Sequence, residues 1–264
     1  MTTSNMTKAE RREAAREQAR QLREAQLRRE KRNRRLIVVG VVVLIAVMAA
    51  ALFAIVRQGS ESALKSVEEV PANTTLDGGI SLGSSLTAGT ANEGAPVIDV
   101  YLDFTCSYCG QFEEINADDI DEMVAAGDAT VVYHPVAILD RTGDFSGFSG
   151  RAAQAAAVVA DKAPEAYNDL QAALFDLYRG AGATEGATAA EPTDADIAAA
   201  ALEAGVPREV ADTIDDGTFT DWVAATTEQF GRDGFTGTPT VLVDGEEFVG
   251  WQEEGALAEA VAGA

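Results

Sequence analysis

A mixed α/β fold with an inserted helical domain, preceded by one membrane-spanning helix, is what the sequence predicts. A strand, a helix and a second strand follow one another within about forty residues from Val97. Ala-rich runs of helical period then fill roughly residues 148–232, and β signals return at Thr240. Ahead of all this, Leu36 to Val56 runs for 21 residues without a charge. At 1.5 Å per residue that stretch is long enough to cross a bilayer core of about 30 Å.

Residues 1–35 hold twelve Lys or Arg against five Glu and are rich in Ala, Gln and Leu, which are strong helix formers. Leu22 and Leu27 stand alone there, so no apolar stripe exists to pack against a core, and a solvated basic segment is expected. Lys31, Arg32, Arg34 and Arg35 abut the start of the apolar stretch 36–56, whereas only Arg57 and Lys65 follow it closely. That asymmetry places the N-terminus in the cytoplasm and the rest outside. A cleaved signal peptide is the rival reading. Its charged region would be too long and its apolar region longer than such peptides use. Residues 57–77 form a polar linker, and residues 78–264 the folded domain. The expected location is the cell membrane, single-pass, with an extracytoplasmic C-terminal domain and the lipid bilayer as partner of the N-terminal helix.

Within the domain, Ile80, Leu82 and Leu86 mark a short edge strand or hairpin. Val97 to Phe104 is β-branched and aromatic, the composition of a strand. Residues 110–126 repeat apolar side chains at helical spacing through Phe112, Ile115, Ile120 and Met123, and Thr130 to Leu139 reads as the second strand. Strand, helix and strand at this spacing form a βαβ unit with parallel strands. Four or five helices follow, separated by Gly and Pro. One is expected to start on Thr193 as N-cap, with Asp196 three residues on. Thr240 to Val243 and Glu246 to Trp251 flank the turn residues Asp244 and Gly245, a hairpin signal. Glu253 to Ala262 closes the chain as a helix.

The net charge of −23 divides unevenly: beyond residue 35 there are eight basic and thirty-eight acidic residues. Phosphate backbones are bound by clustered Lys and Arg, so the domain is not expected to bind nucleic acid. An acidic surface of this kind keeps a protein hydrated and soluble.

The chain has two cysteines, Cys106 and Cys109, separated by the spacer Ser107 and Tyr108. A C-x-x-C at the start of a helix exposes its first thiol to free N–H groups and to the helix dipole, which lower the thiol pKa. The thiolate is the reactive species, and the two-residue spacer lets the second cysteine close a small ring. A zinc site would need two further ligands, and His134 is the only histidine, so no metal and no cofactor are expected. A purely structural disulfide across so short a loop gains little. Thiol–disulfide chemistry is the remaining use of the pair, unless the motif is vestigial. Far downstream, Thr238 and Pro239 precede the TVLV strand, in the place where such a fold faces the C-x-x-C. His134, beside Pro135, is expected to be a satisfied structural histidine, and Trp222 and Trp251 to belong to core or rim.

DFTCSYCGQFE, the helical insertion and GTPTVLVDGEEFVG together resemble the DsbA-like family of thiol–disulfide oxidoreductases, of thioredoxin-like fold. The likeness covers about residues 95–262 and is strongest to membrane-tethered actinobacterial forms. It implies that Cys106 is the attacking thiol and Cys109 the resolving one. It makes Pro239 a cis-proline and sets Thr238 against the substrate chain and the sulfurs. It further implies exported protein thiols as substrates and a membrane redox partner for recycling. Two departures stand out. The buried acid that many relatives carry six residues before the first cysteine is Val100 here, between Asp99 and Asp103, which alternation places on one face. The spacer lacks the histidine of strongly oxidising members. The function expected is insertion of disulfides into exported proteins. The alternatives are a reductase, isomerase or dedicated thiol carrier on the same scaffold, or a tethered binding protein with a static disulfide.

Overall fold

The computed structural model describes residues 62–182 and 190–264, with Met48 besides. The basic segment 1–35 and, Met48 apart, the predicted spanning segment 36–56 lie outside the described residues. Among the described residues no helix is long and apolar enough to cross a membrane.

Among the described residues, five strands form one sheet: β1 (Ile80–Leu82), β2 (Val97–Leu102), β3 (Thr130–Pro135), β4 (Thr240–Val243) and β5 (Glu246–Glu247). Their spatial order is β1-β3-β2-β4-β5. β2 and β3 run parallel, in the register Val97 to Thr130 and Val100 to Tyr133, as expected for a βαβ unit. The crossover is α1 (Ser107–Ala126). Gly127 ends it at φ 88°, a left-handed conformation that costs glycine least, and its N–H returns to the Val124 carbonyl. β4 joins the other edge of β2 antiparallel, pairing Val100 with Val241 and Tyr101 with Thr240.

The insertion consists of α2 (Phe148–Lys162), α3 (Tyr167–Gly180), α4 (Asp194–Glu203), α5 (Arg208–Ala211) and α6 (Thr220–Arg232). α2 is buried almost all round, with Ala152, Ala153 and every residue from Ala155 to Ala160 at 0 % exposure. Small side chains let neighbouring helices approach this one from several sides, which explains its alanine content. α4 starts on Thr193, whose hydroxyl and the Asp196 carboxylate cap each other's backbone N–H groups. The last helix is α7 (Ala256–Ala262), and it packs on α1.

Neighbouring residues of a strand point to opposite faces, so β2 divides the core. Val100 and its partner Tyr133, both buried, face α1 and α3. Tyr101 faces the other way, stacks on His134 with centroids 4.1 Å apart and meets Phe230 of α6. Ser62–Asp77 lies along this second side. Ala63 N–H bonds Gln229, Ala72 N–H bonds Asp161, and the Asn73 amide bonds the Ala160 carbonyl.

Three strand ends fall short of expectation, each for a reason visible in the hydrogen bonding. β2 stops at Leu102, where the chain turns: Thr105 N–H bonds the Asp103 carboxylate and Cys106 N–H the Asp103 carbonyl. β3 stops at Pro135 because the N–H groups of Ala137 and Leu139 leave the ladder for Thr227 and Asp103. The final hairpin shortens after Phe248, whose N–H bonds Val241 O, since Glu253 N–H instead folds onto Gly250. Gly255, left-handed at φ 78°, delays the last helix to Ala256.

Candidate active site

Cys106 occupies the N-cap position of α1, in extended backbone, and its carbonyl accepts the first helical bond from Gly110 N–H at 3.1 Å. Ser, Thr, Asp or Asn usually fill an N-cap because their side chains accept hydrogen bonds from the first-turn amides. Here no side-chain cap bond is formed, and the Cys106 thiol donates to the Thr238 carbonyl at 3.2 Å. The Thr238–Pro239 peptide is cis. β4 begins immediately after it and pairs with β2, which leads into Cys106, so the sheet itself brings two segments 132 residues apart into contact.

Both cysteines are free and buried, Cys106 at 6 % and Cys109 at 1 % exposure. Their environments separate them. A hydrogen bond from Cys109, aided by the Thr238 side chain and the N–H groups of Cys109 and Tyr108, lowers Cys106 from 9.0 to about 6, although burial opposes this. Burial, followed by the proximity of Cys106, pushes Cys109 well above the ordinary thiol range. The Thr238 hydroxyl is buried without a well-formed hydrogen bond of its own, which leaves it available to the sulfur. One thiol is thus ionised near neutral pH and the other is held protonated. A split of this kind suits the attack by one cysteine and the resolution by another that thiol–disulfide exchange requires.

The spacer residues Ser107 and Tyr108 are exposed, Tyr108 at 54 %. Val100, in the place of the family's buried acid, is fully buried apolar core. β2 ends at Leu102, so Asp103 lies beyond the strand over which alternation paired it with Asp99. Asp99 stays half-buried on the sheet and bonds His134 Nε2 at 2.9 Å, and His134 itself is 2 % exposed. Asp103 instead turns inward, fully buried, to accept from Thr105 N–H, Thr105 Oγ1, Leu139 N–H and Ser149 Oγ at 2.7–2.9 Å. Burial raises its pKa, and the four donors oppose that. His134 and Asp103 are therefore built into the scaffold, Asp103 directly beneath the loop that presents Cys106. Trp222 is wholly buried, and Trp251 packs edge-on against Phe112 of α1.

Sequence reasoning missed Glu113, on the side of α1 turned to the insertion. It is pushed up to about 7 by burial, and Gln171 of α3 donates to it at 3.4 Å. Asn168 to Asp121 and Arg179 to Glu114 complete a seam between α1 and α3. A carboxylate on an acidic helix surface gives no sequence signal that it faces a partner helix.

A dithiol of split acidity at a helix N-terminus, opposite a cis X-Pro loop on a central sheet, defines a thiol–disulfide exchange site. Residues 85–262 match a family model described as Thioredoxin. The structure is similar to that of MdbA, a thiol–disulfide oxidoreductase from Actinomyces oris. That match has 27% identity and a TM-score of 0.63, covering 78% of this chain and 98% of that one. It is also similar to oxidised DsbA of Mycobacterium tuberculosis, at 31% identity and a TM-score of 0.59, covering 70% of this chain and 91% of that one. Among curated sequences, the serine/threonine-protein kinase PknE of M. tuberculosis is 31% identical over 193 residues, 70% of this chain. The chain spans about a third of the length of that relative, 32%. The chain belongs to this thioredoxin family and, within it, to the DsbA-like thiol–disulfide oxidoreductases.

The split acidity sets a pH dependence. A thiol whose folded pKa lies below its unfolded value stabilises the native reduced protein above the unfolded pKa, and that contribution is lost as pH falls through about 6. At pH 7 it amounts to about 1.4 kcal/mol, one unit above the folded pKa. Ultraviolet thiolate absorbance of the reduced protein is expected to titrate with a midpoint near 6 and to vanish in a Cys106→Ser variant. A midpoint near 9 would mean that the N-cap environment does not act on the sulfur.

Proposed function

We propose that the protein is an extracytoplasmic, membrane-tethered enzyme that introduces disulfides into exported proteins through Cys106 and Cys109. The observation that carries the direction is the stabilised Cys106 thiolate. A client thiolate attacks Cys106 Sγ of the oxidised pair, a client–Cys106 disulfide forms, and the Cys106–Cys109 bond breaks. Cys109 leaves as a thiolate and takes up a proton, in keeping with its raised pKa. A second client thiolate then attacks the client sulfur, and Cys106 departs. A low-pKa thiol leaves faster, and a reduced form stabilised by ionisation makes the couple more oxidising. Two electrons pass from client to enzyme; Cys109 takes up one proton while Cys106 stays ionised, the client's other proton goes to solvent, and a membrane redox partner withdraws the electrons again.

The apolar run 36–56 and its basic flank support the tether and its orientation. The resemblance to DsbA-like proteins supports exported proteins as clients. A reductase, isomerase or dedicated carrier is the second reading. It draws on Val100 and on the spacer without histidine, both of which remove groups that favour strong oxidants. The test is the redox state and potential of the pair. The oxidase reading expects Cys106 and Cys109 disulfide-bonded in growing cells, with a potential above about −200 mV. A pair that is mostly reduced, with a potential near the roughly −270 mV of thioredoxin, would assign the protein to the reductase reading.

A further inference from the structure

The loop that faces Cys106 is held from the second side of the sheet. α6 ends at Arg232, and Phe235 stands three residues before Thr238. Phe235 N–H bonds the Phe230 carbonyl at 3.2 Å, and its ring meets Tyr101 with centroids 4.8 Å apart and Phe230 at 5.5 Å. Tyr101 in turn stacks on His134 at 4.1 Å, and His134 Nε2 is fixed by Asp99. Thr240 lies opposite Tyr101 across the β2–β4 ladder, so both side chains rise on the same face. The Thr240 hydroxyl donates to the Gly237 carbonyl at 2.7 Å.

These two contacts bracket the loop. Thr236 and Gly237 between them are exposed, and strand pairing resumes only at Thr240. The ring of Phe235 and the hydroxyl of Thr240 are thus the fixed points between which Thr238 is set. Thr238 reaches the other way. Its carbonyl lies 3.2 Å from Cys106 Sγ, and its hydroxyl is buried without a well-formed bond of its own. A hydroxyl favours an ionised sulfur only while it can aim its proton there, and such bonds weaken steeply with misalignment. Aromatic contacts have preferred geometries, so a ring anchored among rings fixes direction as well as distance. Phe235 is only half-buried, less than a ring of its size reaches in a core, which points to placement of the loop as its use.

We propose that Phe235 and Tyr101 are positioning residues of the exchange site, whose ring contact holds Thr238 in register against Cys106. Both act through Thr238 and from the opposite side of the sheet to the dithiol. His134 and Asp99 are the backing that keeps the Tyr101 ring in its plane, which gives the chain's single histidine a use. The inference rests on Cys106 being the attacking thiol, as proposed above. It extends the site from the two cysteines and the cis-proline loop to a line of side chains that runs from Asp99 through His134, Tyr101 and Phe235 to Thr238.

The experiment titrates the reduced full-length protein by ultraviolet thiolate absorbance in Phe235→Ala, Phe235→Tyr and Tyr101→Leu, with Ile197→Val as control. Ile197 is a buried residue of α4, so its truncation loosens the fold without touching the ring cluster. The Cys106 midpoint is expected to rise by about one pH unit in Phe235→Ala and Tyr101→Leu, the weight of one hydrogen bond to an ionised group. Phe235→Tyr keeps the ring and is expected to keep the midpoint, as is Ile197→Val. At pH 7 the same rise lowers the equilibrium constant for oxidising glutathione about fivefold, because the reduced enzyme loses part of its ionisation. Phe235→Ala decides alone should Tyr101→Leu fold poorly. Midpoints unchanged in both variants overturn the positioning role and leave the exchange site standing. A shift in Ile197→Val as large as in Phe235→Ala also overturns it, since any loosening of the fold would then suffice. A wild-type midpoint near the ordinary 9.0 overturns the thiolate assignment itself, and the inference with it.

Discussion

Replacing Cys106 by alanine is expected to reduce thiol–disulfide exchange to the uncatalysed rate, whereas Cys109→Ala leaves Cys106 able to attack a client disulfide but removes the thiol that would release it, so the reaction stops at the mixed disulfide. The contrast follows from the two environments. Cys106 is the thiol lowered to about 6, so at pH 7 roughly nine-tenths of it is ionised, against about one-hundredth of an ordinary thiol at 9.0. Its intrinsic nucleophilicity falls along with its pKa, so much of that gain in attack is returned, and the larger benefit lies in its departure. Cys109 is 1 % exposed and held protonated, so it cannot meet a client directly. Electrophoresis without reductant is the check. Cross-linked clients should accumulate with Cys109→Ala and be absent from Cys106→Ala. Equal trapping by both variants would remove the assignment of roles. No trapping by either would favour a tethered binding protein.

Asp103→Ala is expected to cost about 3–5 kcal/mol of stability. The side chain is fully buried and accepts from Thr105 N–H, Thr105 Oγ1, Leu139 N–H and Ser149 Oγ. Removing it leaves buried donors on three residues unpaired, at about 1–3 kcal/mol each where no water replaces the carboxylate. Two of those donors are the ones that end β2 and β3, so the loss falls on the turn that presents Cys106. Urea denaturation of the reduced protein measures it. A loss under about 1 kcal/mol would show that water takes over the acceptor role. Asp103→Asn keeps an acceptor oxygen and is expected to lie between the two.

Much of this arrangement was legible in the order of residues. The βαβ unit could be read because its strands are β-branched and its helix keeps apolar spacing. The Thr193 cap could be read because Thr and Asp stand three residues apart before an Ala-rich run, and the structure forms both capping bonds. Strand ends were less legible. Val136 to Leu139 has strand composition, yet the N–H groups of Ala137 and Leu139 are claimed by the side chains of Thr227 and Asp103, which no local pattern announces. The full burial of Asp103 was not legible because it lies past the end of β2, where alternation no longer sets a side chain's surroundings. Ser62–Asp77 has the composition of a linker but contributes Ala63 and Leu64 to the core, an outcome decided by α6 far downstream.

The N-cap position of Cys106 ties the redox chemistry to the backbone. An ionised sulfur there can accept hydrogen bonds from the Tyr108 and Cys109 amides, as the usual capping oxygen would, whereas a sulfur bonded to Cys109 carries no such charge. Each turnover therefore changes how firmly the first turn of α1 is closed. The oxidation state of the enzyme is therefore expected to be recorded in the rate at which those amides trade their hydrogens with solvent, slower in the reduced enzyme than in the oxidised one.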